Sequence, residues 1–474
     1  MSFLDRLRRT AGGATAASIA AKMFAMAAPL PVLYLYFPTE MVAWWMLLVT
    51  LQSIIGGLSG SLPTVAMQML SYAHAGSRYL TGAGARHEQG RMDQSNDLLK
   101  ALVNTELRQI FGWLAVIWVL LALTLGWALS ERSIARLADP REGYAMGAVF
   151  VGLSAMRFLT LPVLTFLLAV GETPRTRFAE AWCWLGGGIG SAALLYSTGS
   201  ALAGIAALYA PLPMHWLVLR AMAARRGFIY GRDRSTLDED RSVAFLVWDR
   251  AWKGTTGTIL GMAVMYGSGL IYAQTATAGE QAGFLLALNL LGFIQQFAMA
   301  PLMGVAPALG ARHAANDIGG LIDLSHQATL KGAWLYVSLA LLVPLALIIG
   351  SAAGLHIPFV SLSIWLAFAI AVAVIRHGAN HLHILAAGNE IRFHIAAFWL
   401  ALLYLGALSL WPDPSLLIYA LLLGGAALVY AGYARSLTTR AYMFPLERDL
   451  TTILLPLLAL GAGWAGYALL APPL

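Results

Sequence analysis

The side chain that most directly suggests chemistry is Arg157, which lies near the middle of an otherwise apolar stretch from Ala145 to Val170. This stretch is long enough to cross a membrane. A guanidinium inside hydrocarbon is costly because arginine keeps its proton. Such a residue usually faces a bundle interior or a water-filled cavity, where it can form charge-assisted hydrogen bonds with an anion. We therefore predict that Arg157 lines a polar cavity.

Lys22 is a second cation inside an apolar segment, and Pro29 and Pro31 follow it. Proline in a helix interior removes backbone hydrogen bonds and kinks or unwinds the helix. A cation shortly before such a kink suits a substrate contact. The alternative is that Lys22 extends its ammonium to the cytoplasmic headgroups while its aliphatic stem stays buried.

Arg376 is the third cation, and it opens a polar run that contains His377, Asn380, His381 and His383. Positions 376, 380 and 383 are spaced to share one face of a helix. No Asp, Glu or Cys accompanies the histidines at ligand spacing, so the run favours a polar stripe along an aqueous cavity over a zinc site. We predict substrate binding by this stripe, and neither a metal ion nor a cofactor.

Three further polar side chains, Gln52, Asn289 and Gln296, lie within apolar segments. They are secondary candidates for binding sugar hydroxyls, although bonding to a neighbouring helix is the commoner role of such groups. Gly186 and Gly190 form a G-x-x-x-G step, which predicts a close helix contact.

Acidic partners for Arg157 are few. Glu180 and Asp249 are the candidates, and both are expected near the cytoplasmic boundary. A structural pairing of Arg157 with one of these acids, or with helix carbonyls, is the alternative to a cavity-facing role.

The composition identifies a polytopic membrane protein, since 59% of the 474 residues are hydrophobic and 11% are charged. A soluble domain carries roughly 25% charged residues. The net charge of +7 is spread over short loops, as expected for cytoplasmic loops and not for a nucleic-acid-binding surface. The single cysteine excludes an intrachain disulfide. No nucleotide-binding, metalloprotease or hydrolase motif is present, so we do not expect an enzyme.

The elements that must position these residues are apolar segments long enough to span the bilayer. Their predicted spans are 14–37, 41–73, 109–130, 145–170, 177–197, 200–221, 247–273, 281–310, 330–350, 358–386, 393–411, 414–434 and 450–471. Lys and Arg concentrate in alternate loops, which predicts a cytoplasmic N-terminus. The last span contains Pro456 and several glycines, so the alternative to a full crossing is a re-entrant or surface helix.

The chain also repeats itself. The segment EMVAWWMLLVTLQSIIGGLSGSLP, which opens at Glu40, resembles EQAGFLLALNLLGFIQQFAMAPLM, which opens at Glu280. Such a repeat is the plan of many secondary transporters. We predict an all-α fold of two pseudo-symmetric six-helix bundles around a central cavity, with an additional thirteenth helix. The predicted parts are an N-terminal lobe, a charged cytoplasmic linker, a C-terminal lobe and the extra helix, at 1–221, 222–245, 246–435 and 436–474.

The chain resembles the multidrug/oligosaccharidyl-lipid/polysaccharide (MOP) exporter superfamily, and within it most of all the bacterial polysaccharide flippases. The resemblance covers Ala14 to about Arg435. It is carried by the runs LQSIIGGLSGSLPTVAMQMLSYA and LLGFIQQFAMAPLMGVAPALGARHAA, and by AVGETPRTRF after the fourth span. It implies an inner-membrane flippase that moves a polyprenyl-diphosphate-linked oligosaccharide outwards by alternating access, with membrane lipids around it. The cationic candidates agree with a diphosphate substrate.

Two alternatives remain at this point. A drug or metabolite antiporter like the MATE transporters of the same superfamily typically uses a membrane-embedded carboxylate, and the sequence shows no clear one at mid-depth. A non-transporting subunit of a polysaccharide synthase would hold a polymerase or glycosyltransferase through loop 76–107. No nucleic-acid partner is expected under any of these hypotheses.

Overall fold

The computed structural model describes residues 11–74, 97–230, 243–352, 357–387, 392–411 and 414–470, and these residues form helices with no β-strand among them. Two π-helical turns, Ala122–Gly126 and Ala263–Gly267, interrupt the third and seventh predicted spans. The α-helices are α1 Ala11–Ala27, α2 Leu30–Tyr36, α3 Thr39–Ser59, α4 Leu62–His74, α5 Asp97–Leu121, α6 Trp127–Ala135, α7 Pro140–Ala169, α8 Thr173–Thr198, α9 Ala201–Tyr209, α10 Pro211–Ala224, α11 Val243–Met262, α12 Ser268–Tyr272, α13 Ala278–Ala314, α14 Ile318–Ala352, α15 Leu362–Ala387, α16 Phe393–Ser409, α17 Leu416–Tyr442 and α18 Leu446–Leu470.

Ten helical segments of the described chain are long and apolar enough to cross a membrane. The thirteenth predicted span is among them, at Leu446–Tyr467. The other three predicted spans are helical but shorter or more polar: α8 contains Arg177 and Glu180, α11 contains Asp249 and Lys253, and α16 has 17 residues. The fold class expected from the sequence is confirmed as an all-helical polytopic membrane protein.

Helix breaks follow the residues that cannot continue a helix. α1 ends at Ala27 and α2 begins at Leu30, so the chain is interrupted beside Pro29. α3 and α4 are separated at Gly60, whose φ is +50°. A Cβ at this glycine would lie 2.5 Å from the Cα of Thr255, so both the backbone conformation and the close approach require glycine.

The first compact unit comprises residues 1–36 and 55–255. Within it α8 packs along α1, and α7 packs against α4, α5, α9 and α10. The contact of α8 with α1 is made by Gly188, where a Cβ would lie 2.5 Å from the Cα of Ala25, and Gly187 approaches the carbonyl oxygen of Leu208. The close helix contact predicted at Gly186 and Gly190 is not formed. A Cβ at Gly186 would meet nothing within 4 Å, and one at Gly190 would meet only a methyl group at 3.9 Å.

The second compact unit comprises residues 37–54 and 256–474. Its main contacts join α15 to α17, α13 to α14 and α16 to α17, and α18 packs on both α14 and α15. The predicted lobes divide the chain differently, because residues 37–54 group with the second unit by their contacts. Of the predicted linker 222–245, residues 231–242 lie outside the described part of the chain.

Candidate functional site

Four charged side chains of the first unit line one cavity. α1 contributes Lys22, α7 contributes Arg157, and α8 contributes Arg177 and Glu180. These three helices meet because α8 packs closely on α1 and also contacts α7. The cavity has a volume of about 300 Å³, and its walls include the apolar side chains Leu161, Leu164, Leu168, Trp184 and Leu212.

Glu180 is the anionic centre of this cavity. Its carboxylate lies 2.5 Å from Nζ of Lys22 and 2.7 Å from Nη1 of Arg177, and it accepts a hydrogen bond of 2.8 Å from Oγ of Ser18. The glutamate is 7% exposed. A buried carboxylate with two cationic partners and a hydroxyl donor is stabilised in its charged form. The sequence predicts that Lys22 contacts either the substrate or the lipid headgroups. It does not predict the ion pair with Glu180, because Glu180 is expected near the cytoplasmic boundary.

Arg157 differs from the other two cations, since its guanidinium has no ion pair or hydrogen bond within the described part of the chain. The guanidinium lies close to α3, where a Cβ at Gly56 would be 3.6 Å from Nη2. Arg157 lies about 18 Å from the end of α7 at Ala169, at a rise of about 1.5 Å per residue. The structural pairing with Glu180 or Asp249 that we considered as an alternative is not formed.

The charges of the cavity do not cancel. Three cations, Lys22, Arg157 and Arg177, stand against the single carboxylate of Glu180, so the lining carries a formal excess of two positive charges. His215, Ser59, Thr64, Thr160 and Thr165 add polar atoms to the same lining. A half-buried guanidinium without an ion pair, such as that of Arg157, favours an anionic ligand, and its paired donors suit phosphate or carboxylate.

The polar run of α15 lies in the second unit, in a different cavity. Arg376, His377 and Asn380 line a space of about 30 Å³ whose other walls are formed by α14 and α18. Arg376 is 6% exposed, and its Nε and Nη2 atoms have no hydrogen-bond partner, nor does Oδ1 of Asn380. Within the first unit the structure therefore brings Lys22 and Arg157 together, and within the second it places Arg376 beside His377 and Asn380.

His383 shares a helix face with Arg376 and Asn380, but its ring contacts a different neighbour. It is half-buried and packs edge-on against Phe393 at a ring-centroid distance of 4.9 Å, and it is not part of the lining shared by Arg376 and Asn380. Of the three predicted positions, 376 and 380 therefore line this cavity and 383 does not.

Asp449 is a polar residue of this region that sequence reasoning missed. Its Oδ1 atom lies 3.0 Å from Nε2 of His377 and 2.8 Å from Nε2 of His381, and its Oδ2 accepts from Nε of Arg435. The sequence has no Asp, Glu or Cys at ligand spacing from the histidines, but α18 brings Asp449 to α15 across 68 residues of sequence. No local spacing could have shown this contact.

The three secondary candidates have different environments. Asn289 is buried and donates hydrogen bonds to Oγ1 of Thr50 at 2.9 Å and to the carbonyl of Leu285 at 2.8 Å, so it joins neighbouring helices. Gln52 is 5% exposed and neither polar atom of its amide has a partner. Gln296 is exposed.

The fold is similar to that of solved MATE transporters. An inward-facing multidrug resistance MATE family transporter of the MOP superfamily is 13% identical, with a TM-score of 0.58 over 89% of this chain and 94% of that chain. The MATE multidrug transporter DinF-BH in complex with R6G is 13% identical, with a TM-score of 0.59 over 95% of this chain and 96% of that one. The Vibrio cholerae MATE transporter VcmN in its bent form is 15% identical, with a TM-score of 0.52 over 92% and 99%.

No protein-family profile matches the chain, and no curated protein sequence matches it. The two solved structures first named are transporters, and identities of this size establish the fold alone. The predicted relationship to the MOP superfamily agrees with the fold at this coarser level.

Proposed function

We propose that this protein is an exporter whose substrate carries a phosphate-rich anionic group, and that it moves a polyprenyl-diphosphate-linked oligosaccharide across the bacterial inner membrane by alternating access. The observation that carries the proposal is the cavity of the first unit, with three cations against one carboxylate. Under this proposal the N-terminus is cytoplasmic, as the distribution of Lys and Arg in the loops predicts.

Arg157 supplies the strongest reason for an anionic substrate. A guanidinium deep in a membrane protein is costly unless it is hydrated or paired, and this one has no partner among the described residues. Lys22 is already engaged with Glu180 at 2.5 Å. Arg157 is therefore the side chain whose hydrogen-bonding capacity is available to an incoming phosphate, while Lys22 adds positive potential beside it.

The size of the cavity indicates which part of the substrate binds there. A space of about 300 Å³ is at the lower end of small-molecule sites, and it suits a diphosphate group better than an oligosaccharide. We therefore assign the diphosphate to Lys22 and Arg157. Arg376, His377 and Asn380 are not part of this assignment, because their own cavity of about 30 Å³ has room for no more than a water molecule or two.

A second candidate function is the export of cationic drugs or metabolites. Buried Glu180 favours it, since a membrane-embedded carboxylate can bind a cation or a proton, and the solved structures of the same fold are described as multidrug transporters. The charge balance disfavours it, because a cationic substrate would have to displace Lys22 and Arg177 from Glu180 and would face Arg157.

The test is a binding comparison on purified protein in detergent. We would measure undecaprenyl diphosphate, undecaprenol and a fluorescent lipophilic cation against the wild type, Arg157→Gln, and the control Arg220→Gln, which removes an exposed arginine of the same unit. Loss of one charge-assisted interaction is worth about 1.5–3 kcal/mol, so Arg157→Gln should weaken diphosphate binding by about 10- to 100-fold. The control and the phosphate-free alcohol should show no such difference.

Equal diphosphate binding by the wild type and Arg157→Gln would contradict the proposal. Tight binding of the cation instead of the diphosphate would favour the drug exporter. The synthase subunit would be favoured if no cavity substitution changed the binding of either ligand and a polymerase or glycosyltransferase copurified. That hypothesis needs loop 76–107, most of which lies outside the described residues.

A further inference from the structure

His377, His381 and Asp449 form a cluster in the second unit that the proposed transport cycle does not use. All three residues are buried, and their nearest ligand atoms lie within 4.8 Å of one another. α15 contributes both imidazoles from successive turns, and α18 contributes the carboxylate from its first turn. An acidic residue at this end of α18 is favoured by the helix dipole.

The three atoms form a compact triangle. Nε2 of His377 and Nε2 of His381 are 3.4 Å apart, and Oδ1 of Asp449 lies 3.0 Å from the first and 2.8 Å from the second. Two ligand atoms of a tetrahedral zinc site with bonds of about 2.0 Å are about 3.3 Å apart. One ion could therefore contact all three atoms at ordinary bond lengths with little movement of the side chains.

We propose that these three side chains bind one first-row divalent transition-metal ion, with zinc the preferred occupant. Two imidazoles and one carboxylate are a donor set that such metals accept, with further positions open to water.

The surroundings supply the remaining features of a metal site. Oδ2 of Asp449 accepts from Nε of Arg435, which leaves Oδ1 for the ion and fixes the carboxylate, as outer partners of metal ligands do. The side chain of Arg435 is 37% exposed, whereas that of Asp449 is 4% exposed, so Arg435 lies between the carboxylate and the solvent. The adjoining cavity of about 30 Å³, lined by His377 and Thr452, has room for a water ligand.

Binding of the ion by Nε2 places the ring proton of each histidine on Nδ1. Nδ1 of His377 and Nδ1 of His381 have no hydrogen-bond partner. The bonds to the ion must therefore offset the cost of two N–H groups without an acceptor. The bound ion would link α15 to α18, so its role would be to hold the thirteenth span in place.

The experiment uses protein purified without a histidine tag and stripped with a chelator. Zinc binding is then titrated against a chromophoric competitor. We expect one equivalent in the wild type, and a loss of affinity of at least about 100-fold in both His381→Gln and Asp449→Asn, since each removes a direct ligand. The control is His383→Gln, which changes a histidine of the same helix outside the cluster and should bind zinc like the wild type.

X-ray absorption of the zinc-loaded wild type keeps the test independent of how the variants fold. It should show nitrogen and oxygen ligands near 2.0–2.1 Å with the scattering pattern of two imidazoles. No stoichiometric binding, binding unchanged in both ligand variants, or a spectrum without two imidazoles would overturn the proposal. In that case the cluster is a network of hydrogen bonds from the histidines to Asp449. None of these results depends on the identity of the transported substrate.

Discussion

The cavity could bind an anion through its three cations or a cation through Glu180. Replacing Glu180 with glutamine distinguishes these two possibilities. The substitution keeps the shape of the side chain and removes its charge, so Lys22 and Arg177 lose the carboxylate that now lies 2.5 Å and 2.7 Å from them. The formal positive excess of the cavity rises by one. Stability should therefore fall while the attraction for an anion is kept or increased.

The expected loss of stability can be worked from the contacts. Breaking a buried ion pair by removing one partner costs about 3–5 kcal/mol. The side chains of Lys22 and Arg177 are 27% and 25% exposed, so water offsets part of that cost. We expect a loss of about 2–4 kcal/mol, which corresponds to a fall in Tm of about 4–16 °C for a unit of this size.

The assay is thermal unfolding in detergent followed by intrinsic fluorescence, with Glu131→Gln as the matched control, because Glu131 is an exposed acid of the same unit. The double variant Lys22→Met/Glu180→Gln removes one cation together with the carboxylate and should recover much of the loss. A Tm of Glu180→Gln within 2 °C of the control would refute the reasoning about the ion pairs.

The same variant also tests the substrate class. If the cavity binds a diphosphate, Glu180→Gln should bind undecaprenyl diphosphate at least as tightly as the wild type. If Glu180 instead binds a cationic drug or a coupling proton, the variant should lose binding of the cation. Weaker diphosphate binding together with unchanged cation binding would contradict the electrostatic argument.

Three further substitutions test the packing and the second cavity. Gly188→Leu should lower the amount of folded protein sharply, because a Cβ there would lie 2.5 Å from the Cα of Ala25, whereas Gly186→Leu meets open space and should fold normally in a fluorescence-detected size-exclusion assay. Gly60→Ala should lower Tm more than Gly171→Ala, since both positions have positive φ but only Gly60 has a neighbour within 4 Å, the Cα of Thr255 at 2.5 Å. Arg376→Met should leave Tm unchanged or raise it, because the substitution removes a buried cation whose Nε and Nη2 are unpaired. Its affinity for the diphosphate should stay within about threefold of the wild type. A loss of diphosphate binding would place Arg376 in the substrate site.

The long apolar runs and the helix breakers were sufficient to predict the helical class and the interruption beside Pro29. Arg157 was predictable as a cavity residue, because the cost of its charge in hydrocarbon is independent of its neighbours. Which glycines of α8 make close contacts was not predictable. Gly187 and Gly188 approach other helices, while the G-x-x-x-G pair Gly186 and Gly190 does not. Which glycine faces a neighbour depends on the rotation of α8, and no spacing within α8 determines it.

Contacts between distant parts of the chain were the other limit. Glu180 was recognised as a rare acid, but its pairing with Lys22 depends on how α1 packs on α8, across more than 150 residues. The contact of Asp449 with the histidines is not predictable from the repeat, because Asp449 lies at the start of α18 and α18 has no counterpart in the other half. The packing of α18 on α14 and α15 therefore changed the interpretation of His377 and His381 from a cavity stripe to part of an interhelical cluster.

The central claim is that the unpaired guanidinium of Arg157 binds a diphosphate during transport. The most direct measurement is leaflet exchange of a fluorescent polyprenyl-diphosphate saccharide in proteoliposomes that contain equal amounts of folded wild type, Arg157→Gln or Arg220→Gln. We predict that the wild type and Arg220→Gln accelerate exchange and that Arg157→Gln is slower by at least about tenfold. Exchange by Arg157→Gln at the wild-type rate, or transport only of a lipophilic cation by the wild type, would contradict the account.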